Sequence, residues 1–326
     1  MRSRIIGTGR ALPERVVTNH DLERTLDTSD AWIRERTGVR ERRILAPELA
    51  TSDLAAEAGR DACRAAGIEP KQIDCIVLGT VTPDVPFPAT AAYVQRKLGA
   101  RAGGAAFDVS AACAGFLYAL GVADGFIGRG MFRRVLVIGV EVLSRIVDPM
   151  DRSTAVLFGD GAGAVVLAPE EGPRGLFSTH LFADGEYADS LHIPGGGTKA
   201  PLSAAALERR EQFVRMNGRE VYQHAVRNMA AAAQIALQAN QLSRADVAWV
   251  IPHQANRRIV EAVAERLDIG LERFIVNLDR YGNTSSASLP IALSEAVDSG
   301  QVSDGDLLLL VALGGGLAWA SALIRW

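Results

Sequence analysis

Residues 105–120 read AAFDVSAACAGFLYAL, and residues 273–288 read RFIVNLDRYGNTSSAS. Each starts as a short strand-like run, crosses a loop of small residues and enters a helix-like run. Two further pairs keep the same order. IDCIVLGTVTPD, from Ile73, matches VAWVIPHQANRR, from Val247, each a buried strand ending in a polar loop. GAGAVVL, from Gly161, matches GLAWASALI, from Gly316, each glycines followed by a strand. Identity within the pairs is low, so the inference rests on pattern and order. It predicts two similar α/β units packed about a pseudo-twofold axis. Equivalent loops then converge at the centre, a natural place for a site. The predicted units are residues 1–170 and 171–326, with the join in the polar stretch from Glu170 to Arg215.

Apolar runs bounded by turn residues recur at Ile73–Leu78, Val135–Val140, Ala162–Leu167, Val247–Ile251, Leu307–Leu313 and Ala318–Ile324. Runs that are apolar throughout, rather than alternating, suit strands covered on both faces. Helical spacing marks Leu54–Ala66, behind Ser52 as its N-cap, and Tyr222–Gln238. Strands alternating with helices predict a layered α/β architecture. The stretch Leu307–Ile324 is uncharged and approaches membrane-spanning length, but Gly314–Gly316 split it into two strand-sized halves. No membrane span is therefore expected. Of the 326 residues, 48% are hydrophobic and 22% charged, enough for a sizeable core, and the formal net charge is −3. That balance speaks against a nucleic-acid binder. The three cysteines, Cys63, Cys75 and Cys113, form no metal-spaced cluster and no even disulfide set. With no secretory signal in MRSRIIGTGRALPE, they predict a reducing, cytoplasmic setting.

Chemistry concentrates on three side chains. Cys113 follows a strand and opens a helix among Ser110, Ala111, Ala112, Ala114 and Gly115. A cysteine is most often a small core hydrophobe, and Cys63 and Cys75 keep that reading. At a helix N-terminus the peptide dipoles favour the thiolate, so Cys113 is expected to have a lowered pKa. His253 ends a buried strand in IPHQANRRI, where α/β sheets present ligands; His192, in the loop LHIPGGG, is the one other histidine worth keeping. Asn283 sits in a glycine-flanked turn, DRYGNTSSAS. Cysteine, histidine and asparagine on separate loops make a nucleophilic site without distinguishing hydrolysis from acyl transfer. The Gly314–Gly316 run can aim an N–H inward as an oxyanion donor. Gly159–Gly163, in GDGAGAVVL, lack a dinucleotide fingerprint and are read as a tight turn.

These segments resemble the β-ketoacyl-[acyl-carrier-protein] synthase III family of the thiolase superfamily. The resemblance runs through TSDAWIRERTGVRERR (from Thr28), FPATAA (from Phe87), AACAGF around Cys113, DPMDRST (from Asp148), FGDGAGA (from Phe158), MNGREVY (from Met216), HQANRRI (from His253), YGNTSSAS (from Tyr281) and GGGLAWASALI (from Gly314). It implies a thiolase-like five-layer αβαβα fold built from two duplicated halves. It also implies an acyltransferase of fatty acid biosynthesis, joining an acyl-CoA primer to malonyl-ACP by decarboxylative Claisen condensation with no metal or redox cofactor. Carried over residue by residue, Cys113 is the nucleophile, and the N–H groups of Cys113 and Gly315 form its oxyanion hole. His253 and Asn283 are the donor pair for the malonyl thioester. Thr28, Trp32, Arg36 and Arg152 face the nucleotide end of CoA, and Gly218 and Asn256 line the pantetheine tunnel. Arg257, Arg258 and Arg266 dock the acidic carrier protein. Phe87 crosses into a neighbour's acyl pocket and implies a homodimer.

Leu313 stands where many members carry phenylalanine, AWAS follows where TWGS is common, and Arg219 and Tyr222 also depart from commoner choices. With Leu313 assigned to the acyl pocket, the expectation is a larger pocket and branched or medium-length primers. The main competing reading is a synthase III-like enzyme that primes a polyketide or other secondary pathway. A biosynthetic thiolase needs a second late cysteine, and no cysteine follows Cys113. A papain-like hydrolase needs a CGSCW-like context, which is absent.

Overall fold

Strand alternation sorts each apolar run between two faces. Along Cys75–Leu78, Cys75 and Val77 enter one buried cluster while Ile76 and Leu78 enter another. Along Leu307–Leu313, Leu308, Leu310 and Ala312 turn one way and Leu307, Leu309, Val311 and Leu313 the other. Both faces are covered, so the runs carry no polar phase.

The computed structural model describes residues 2–326. Its strands are β1 (Arg2–Ala11), β2 (Arg15–Thr18), β3 (Glu41–Ile44), β4 (Cys75–Gly79), β5 (Ala105–Val109), β6 (Val135–Val142), β7 (Asp160–Glu170), β8 (Gly175–Ala183), β9 (Leu191–His192), β10 (Arg215–Met216), β11 (Trp249–Pro252), β12 (Leu307–Gly314) and β13 (Ala318–Arg325). One sheet has the order β1-β7-β6-β4-β5, the other β8-β13-β12-β11. The directions correspond. β7 is antiparallel to both β1 and β6, as β13 is to both β8 and β12. β4 runs parallel to β6 and β5; β11 runs parallel to β12, and its Val250 bridges Phe274 in parallel, where a fifth strand would lie. The strand pairs matched by sequence thus occupy equivalent places.

Five layers result. The helix Thr51–Ala65 covers the outer face of the first sheet, and Gly218–Ala239 with Arg257–Leu267 cover that of the second. Between the sheets lie Gly115–Gly128 and Ser288–Asp298, whose side chains share one cluster with strands of both sheets. GFLYALGVADGFIG is apolar nearly all round, as a helix enclosed by two sheets must be. Truncating a fully buried member such as Leu120 to alanine costs about 2–5 kcal/mol.

Several local expectations change. The helix starts at Thr51 after Ala50, and Ser52 is its second residue rather than its cap; Ser52 instead donates to Asp84 at 2.5 Å, while Asp53 takes the Ala50 N–H at 2.8 Å. Gly161 and Gly163 lie within β7 rather than in a tight turn. The reason is proximity: a Cβ on Gly163 would stand 2.6 Å from the Ile291 nitrogen of a central helix. The chain passes between sheets within residues 171–174, the short link from β7 to β8. The uncharged stretch 307–324 forms paired antiparallel strands, and no helix of the described residues is long and apolar enough to cross a membrane. All three cysteines are free and buried.

Candidate active site

The nucleophile candidate stands at a pinched turn. β5 ends at Val109, a single 3₁₀ turn covers Ala112–Ala114, and the central helix begins at Gly115. Ala112 holds φ +45°, an unusual left-handed position for a residue with a Cβ. Gly314 makes the turn possible from the other half: a Cβ there would come 2.4 Å from the Cys113 nitrogen. The Cys113 and Gly315 N–H groups donate to no backbone carbonyl.

The expectation of a lowered thiol pKa is overturned. Burial pushes Cys113 up to about 12; a hydrogen bond with Ser285 opposes the rise, and the charge of Glu141 adds to it. The thiol is only 6% exposed and sits in the turn before the helix rather than in its first turn, so lost hydration outweighs the dipole.

His253 leaves the end of β11 with its N–H on the Val311 carbonyl at 2.8 Å. Its ring is buried, which pushes its pKa down to about 3 and keeps it neutral. Nδ1 lies 2.8 Å from Ser288 Oγ, which also accepts the Gln254 N–H at 3.4 Å. The hydroxyl hydrogen is therefore free to point at Nδ1. With the hydroxyl donating to Nδ1, the ring proton stands on Nε2.

Asn283 is fixed by its own backbone. Its N–H donates to Leu157 O at 2.8 Å, and its carbonyl accepts from Gly159 at 3.0 Å. Its Oδ1 accepts the Ser285 N–H at 2.9 Å, which leaves the side-chain NH₂ as the outward group. Cys113, His253 and Asn283 all line one cavity of about 320 Å³. Cys113 also lines a second cavity of about 240 Å³, walled largely by Val81, Leu143, Ile146, Val147, Phe158, Leu191, Ile193 and Val214. The sulfur thus stands where a polar-mouthed channel meets an apolar one. His192 is on the wall of the second cavity, its Nδ1 held 2.7 Å from Asp189 O.

The larger cavity gathers Trp32, Arg36, Gly218, Asn256 and Arg258. Ser29 caps the helix that carries Trp32 and Arg36, accepting the Trp32 N–H at 3.1 Å. Asn256 caps the next helix by accepting from Arg258 N at 2.9 Å, and its Nδ2 reaches Arg36 O at 3.2 Å. Arg152 lies outside the lining but stacks over Trp32 at 4.7 Å, its Nη1 on Asp27 O at 2.7 Å. Thr28 Oγ1, in the next residue, is buried without a hydrogen-bond partner. The three arginines do not share one face. Arg258 reaches the cavity; Arg257 pairs with Glu261 and lies against Gly38; Arg266 is exposed near the far end of the same helix. Phe87 is 87% exposed and lines neither cavity of its own chain.

Leu313 is corrected. It lines the larger cavity, not the apolar one, because it shares the outward phase of β12 with Leu307, Leu309 and Val311. Three contributors were missed: Ser285, Ser288 and Glu141. Glu141 carried a signal, a lone acid in the apolar run VLVIGVEV. The two serines look like ordinary turn residues. Among the described residues no group of three His, Cys, Asp or Glu is placed to hold a metal ion.

Fold and site together define a thiolase-like condensing enzyme. The family model described as 3-Oxoacyl-[acyl-carrier-protein (ACP)] synthase III matches residues 107–185, and its C-terminal counterpart matches residues 237–326. The chain is 55% identical to beta-ketoacyl-[acyl-carrier-protein] synthase III of Roseiflexus castenholzii, over 99% of this chain and 97% of that one. Its structure resembles 3-oxoacyl-[acyl-carrier-protein] synthase III from Aquifex aeolicus, with a TM-score of 0.92 and 46% identity, covering 99% of this chain and 100% of the other. The priming beta-ketosynthase of the R1128 polyketide pathway is also similar, with a TM-score of 0.90 and 35% identity over 99% of this chain and 96% of that one. The chain belongs to the β-ketoacyl-[acyl-carrier-protein] synthase III family.

Proposed function

We propose that this chain starts fatty-acid synthesis by condensing an acyl-CoA primer with malonyl-ACP, with Cys113 as nucleophile. The observation that carries the residue assignment is the meeting of Cys113, His253 and Asn283, from three separate loops, on one cavity. Cys113 sulfur attacks the acyl-CoA carbonyl, and the free N–H groups of Cys113 and Gly315 receive the oxyanion. CoA departs and leaves an acyl-cysteine. Malonyl-ACP then enters the same channel. As its carboxylate leaves as CO₂, the thioester oxygen becomes enolate-like and takes hydrogen bonds from His253 Nε2 and Asn283 Nδ2. A neutral imidazole donates there without titrating, and an amide does the same. The carbanion attacks the acyl-cysteine carbonyl, giving β-ketoacyl-ACP. These steps use side chains and backbone alone.

Trp32, Arg36, Arg152 and Thr28 receive the nucleotide end of CoA, and Gly218 and Asn256 line the pantetheine path. Arg258, on the channel lining, takes the main part in ACP docking; Arg257, paired with Glu261, and Arg266, near the far end of the helix, add positive charge further out. The exposed Phe87 and the half-buried edge strand β5 support a homodimer, and membership of the synthase III family supports work in the cytoplasm. The apolar cavity receives the primer. Its walls are largely apolar, which suits a branched or medium-length acyl chain.

Mass spectrometry of the protein with mixed acyl-CoAs, with and without malonyl-ACP, tests the proposal. The expected result is one acyl adduct on Cys113, discharged as β-ketoacyl-ACP with release of CO₂. Turnover with acetyl-CoA alone would end the primer assignment. Likeness to the R1128 enzyme supports one other reading, priming of a secondary pathway. Discharge onto a polyketide carrier protein in preference to the fatty-acid carrier would favour it.

A further inference from the structure

Cys113 has a high-pKa thiol and a neutral histidine turned to another task, so its proton needs a route out. Ser285 stands beside the thiol: both line the apolar cavity, and the Ser285 hydroxyl favours the thiolate. Ser285 Oγ also donates to Glu141 Oε1 at 3.2 Å. Glu141 is fully buried, and the groups that hold it are all neutral. Oε1 accepts from Ser286 Oγ at 3.0 Å; Oε2 accepts from Thr82 Oγ1 at 2.8 Å, the Val81 N–H at 3.1 Å and Thr80 Oγ1 at 3.2 Å. No lysine, arginine or histidine hydrogen-bonds to it among the described residues. Its facing elements are the segment after β4, the Ser285–Ala287 turn and the Cys113 turn; their titratable groups are the Cys113 thiol and Asp84, which is turned onto Ser52. The nearby Asp160, on β7, is turned away onto the Leu45 N–H and Ser144.

Resting on the assignment of Cys113 as nucleophile, we propose that Glu141, acting through Ser285, holds the Cys113 proton during the catalytic cycle. In the first half-reaction the S–H proton passes to Ser285 Oγ as the Ser285 proton passes to Glu141 Oε1. Cys113 sulfur forms its bond to the acyl carbon, the bond from that carbon to the CoA sulfur breaks, and CoA leaves as a thiolate that takes a proton from water. In the second, the carbanion displaces Cys113 as a thiolate, and Glu141 returns its proton by the same path. The acid and the thiol end as they began, and the cycle takes up one proton from solution. Burial pushes the Glu141 carboxyl up to about 7, so it can both accept and return a proton near neutrality. Glu141 is a positioning and proton-holding group; it does not touch substrate.

The test is single-turnover acylation of Cys113 by acyl-CoA, followed by quench and peptide mass spectrometry across pH 5.5 to 9. The wild-type rate is expected to inflect near 7 as Glu141 ionises. Glu141→Gln is expected to slow acylation about 100-fold or more and to abolish the inflection. A merely structural carboxylate would not move the pH profile, so an unchanged inflection in a folded Glu141→Gln overturns the proposal. If that variant does not fold, Ser285→Ala decides. A comparable loss, with Ser285→Thr restored to within a few-fold of wild type, supports the relay; wild-type acylation in Ser285→Ala overturns it. An acyl group mapping to a residue other than Cys113 in the wild type would instead refute the nucleophile assignment.

Discussion

The turn Ala112–Ala114 and the turn Ser285–Ala287 occupy corresponding places in the two sheet-and-helix units. Each is a single 3₁₀ turn that opens a central helix, and each carries a non-glycine residue in the left-handed region: Ala112 at φ +45° and Ser285 at φ +49°. Each is also pressed against a glycine of a neighbouring strand. A Cβ on Gly314 would come 2.4 Å from the Cys113 nitrogen, and one on Gly139 would come 2.2 Å from Ser286 O. The geometry is shared, but the chemistry is divided. One turn holds a thiol. The other holds hydroxyls and, two residues earlier, the Asn283 amide. The duplication supplies two rigid platforms, and the reaction depends on their being furnished differently.

Breaking the first platform should have the largest effect. Cys113→Ala is expected to abolish acyl-enzyme formation, a loss of about 10⁴-fold or more in condensation. Malonyl-ACP decarboxylation continues, because its donors, Asn283 on the other platform and His253 at the end of β11, lie outside the Cys113 turn. An acyl adduct still forming on the variant would show that the nucleophile lies elsewhere. Asn283→Asp strikes the second platform. A carboxylate facing a developing enolate is expected to lower decarboxylation about 10²–10³-fold while slowing acylation far less. Equal losses in both half-reactions would remove the division of labour. Gly314→Ala and Gly139→Ala press on the two platforms from their strands. Each is expected to destabilise the fold by about 1–3 kcal/mol. Gly314→Ala should then impair acylation more, and Gly139→Ala decarboxylation more; the two half-reaction rates, measured on folded protein, make the comparison.

Sequence order made the platforms visible. The strand, small-residue loop and helix around Cys113 and around Asn283 could be read directly, as could the glycine run beside them. What stayed hidden depends on facing and on solvent. The side of β12 that Leu313 takes follows from two-residue alternation, which pairs it with Leu309 and Val311, yet its departure from the phenylalanine of many family members suggested the acyl pocket. The Cys113 pKa was misjudged because the dipole argument needs only local sequence, whereas dehydration comes from residues distant in the chain. Ser285 and Ser288 were invisible for a similar reason. Serines in a turn usually serve that turn; only the packing of the two halves brings Ser285 beside Cys113, and only folding within the second half brings Ser288 against His253.

The subtlest contrast between the halves is in their response to pH. His253, from the second unit, has its pKa lowered from 6.5 to about 3, so the unfolded chain binds the extra proton between those values. Its contribution to stability therefore rises with pH up to about 6.5. Glu141, from the first unit, has its pKa raised from 4.5 to about 7, so the folded chain binds the extra proton there. Its contribution falls as pH rises through that window. Between pH 4.5 and 6.5 the two slopes oppose each other, and their contributions to denaturation midpoints should largely cancel. Replacing His253 by asparagine removes one slope and leaves the other. Relative to wild type, the variant should lose stability steadily as pH rises across the window. Replacing Glu141 by glutamine should do the reverse, gaining relative to wild type. Curves for both variants parallel to the wild type would mean that neither group is held in its buried, neutral form, and the donor assignment of His253 and the proton-holding role of Glu141 would fall together.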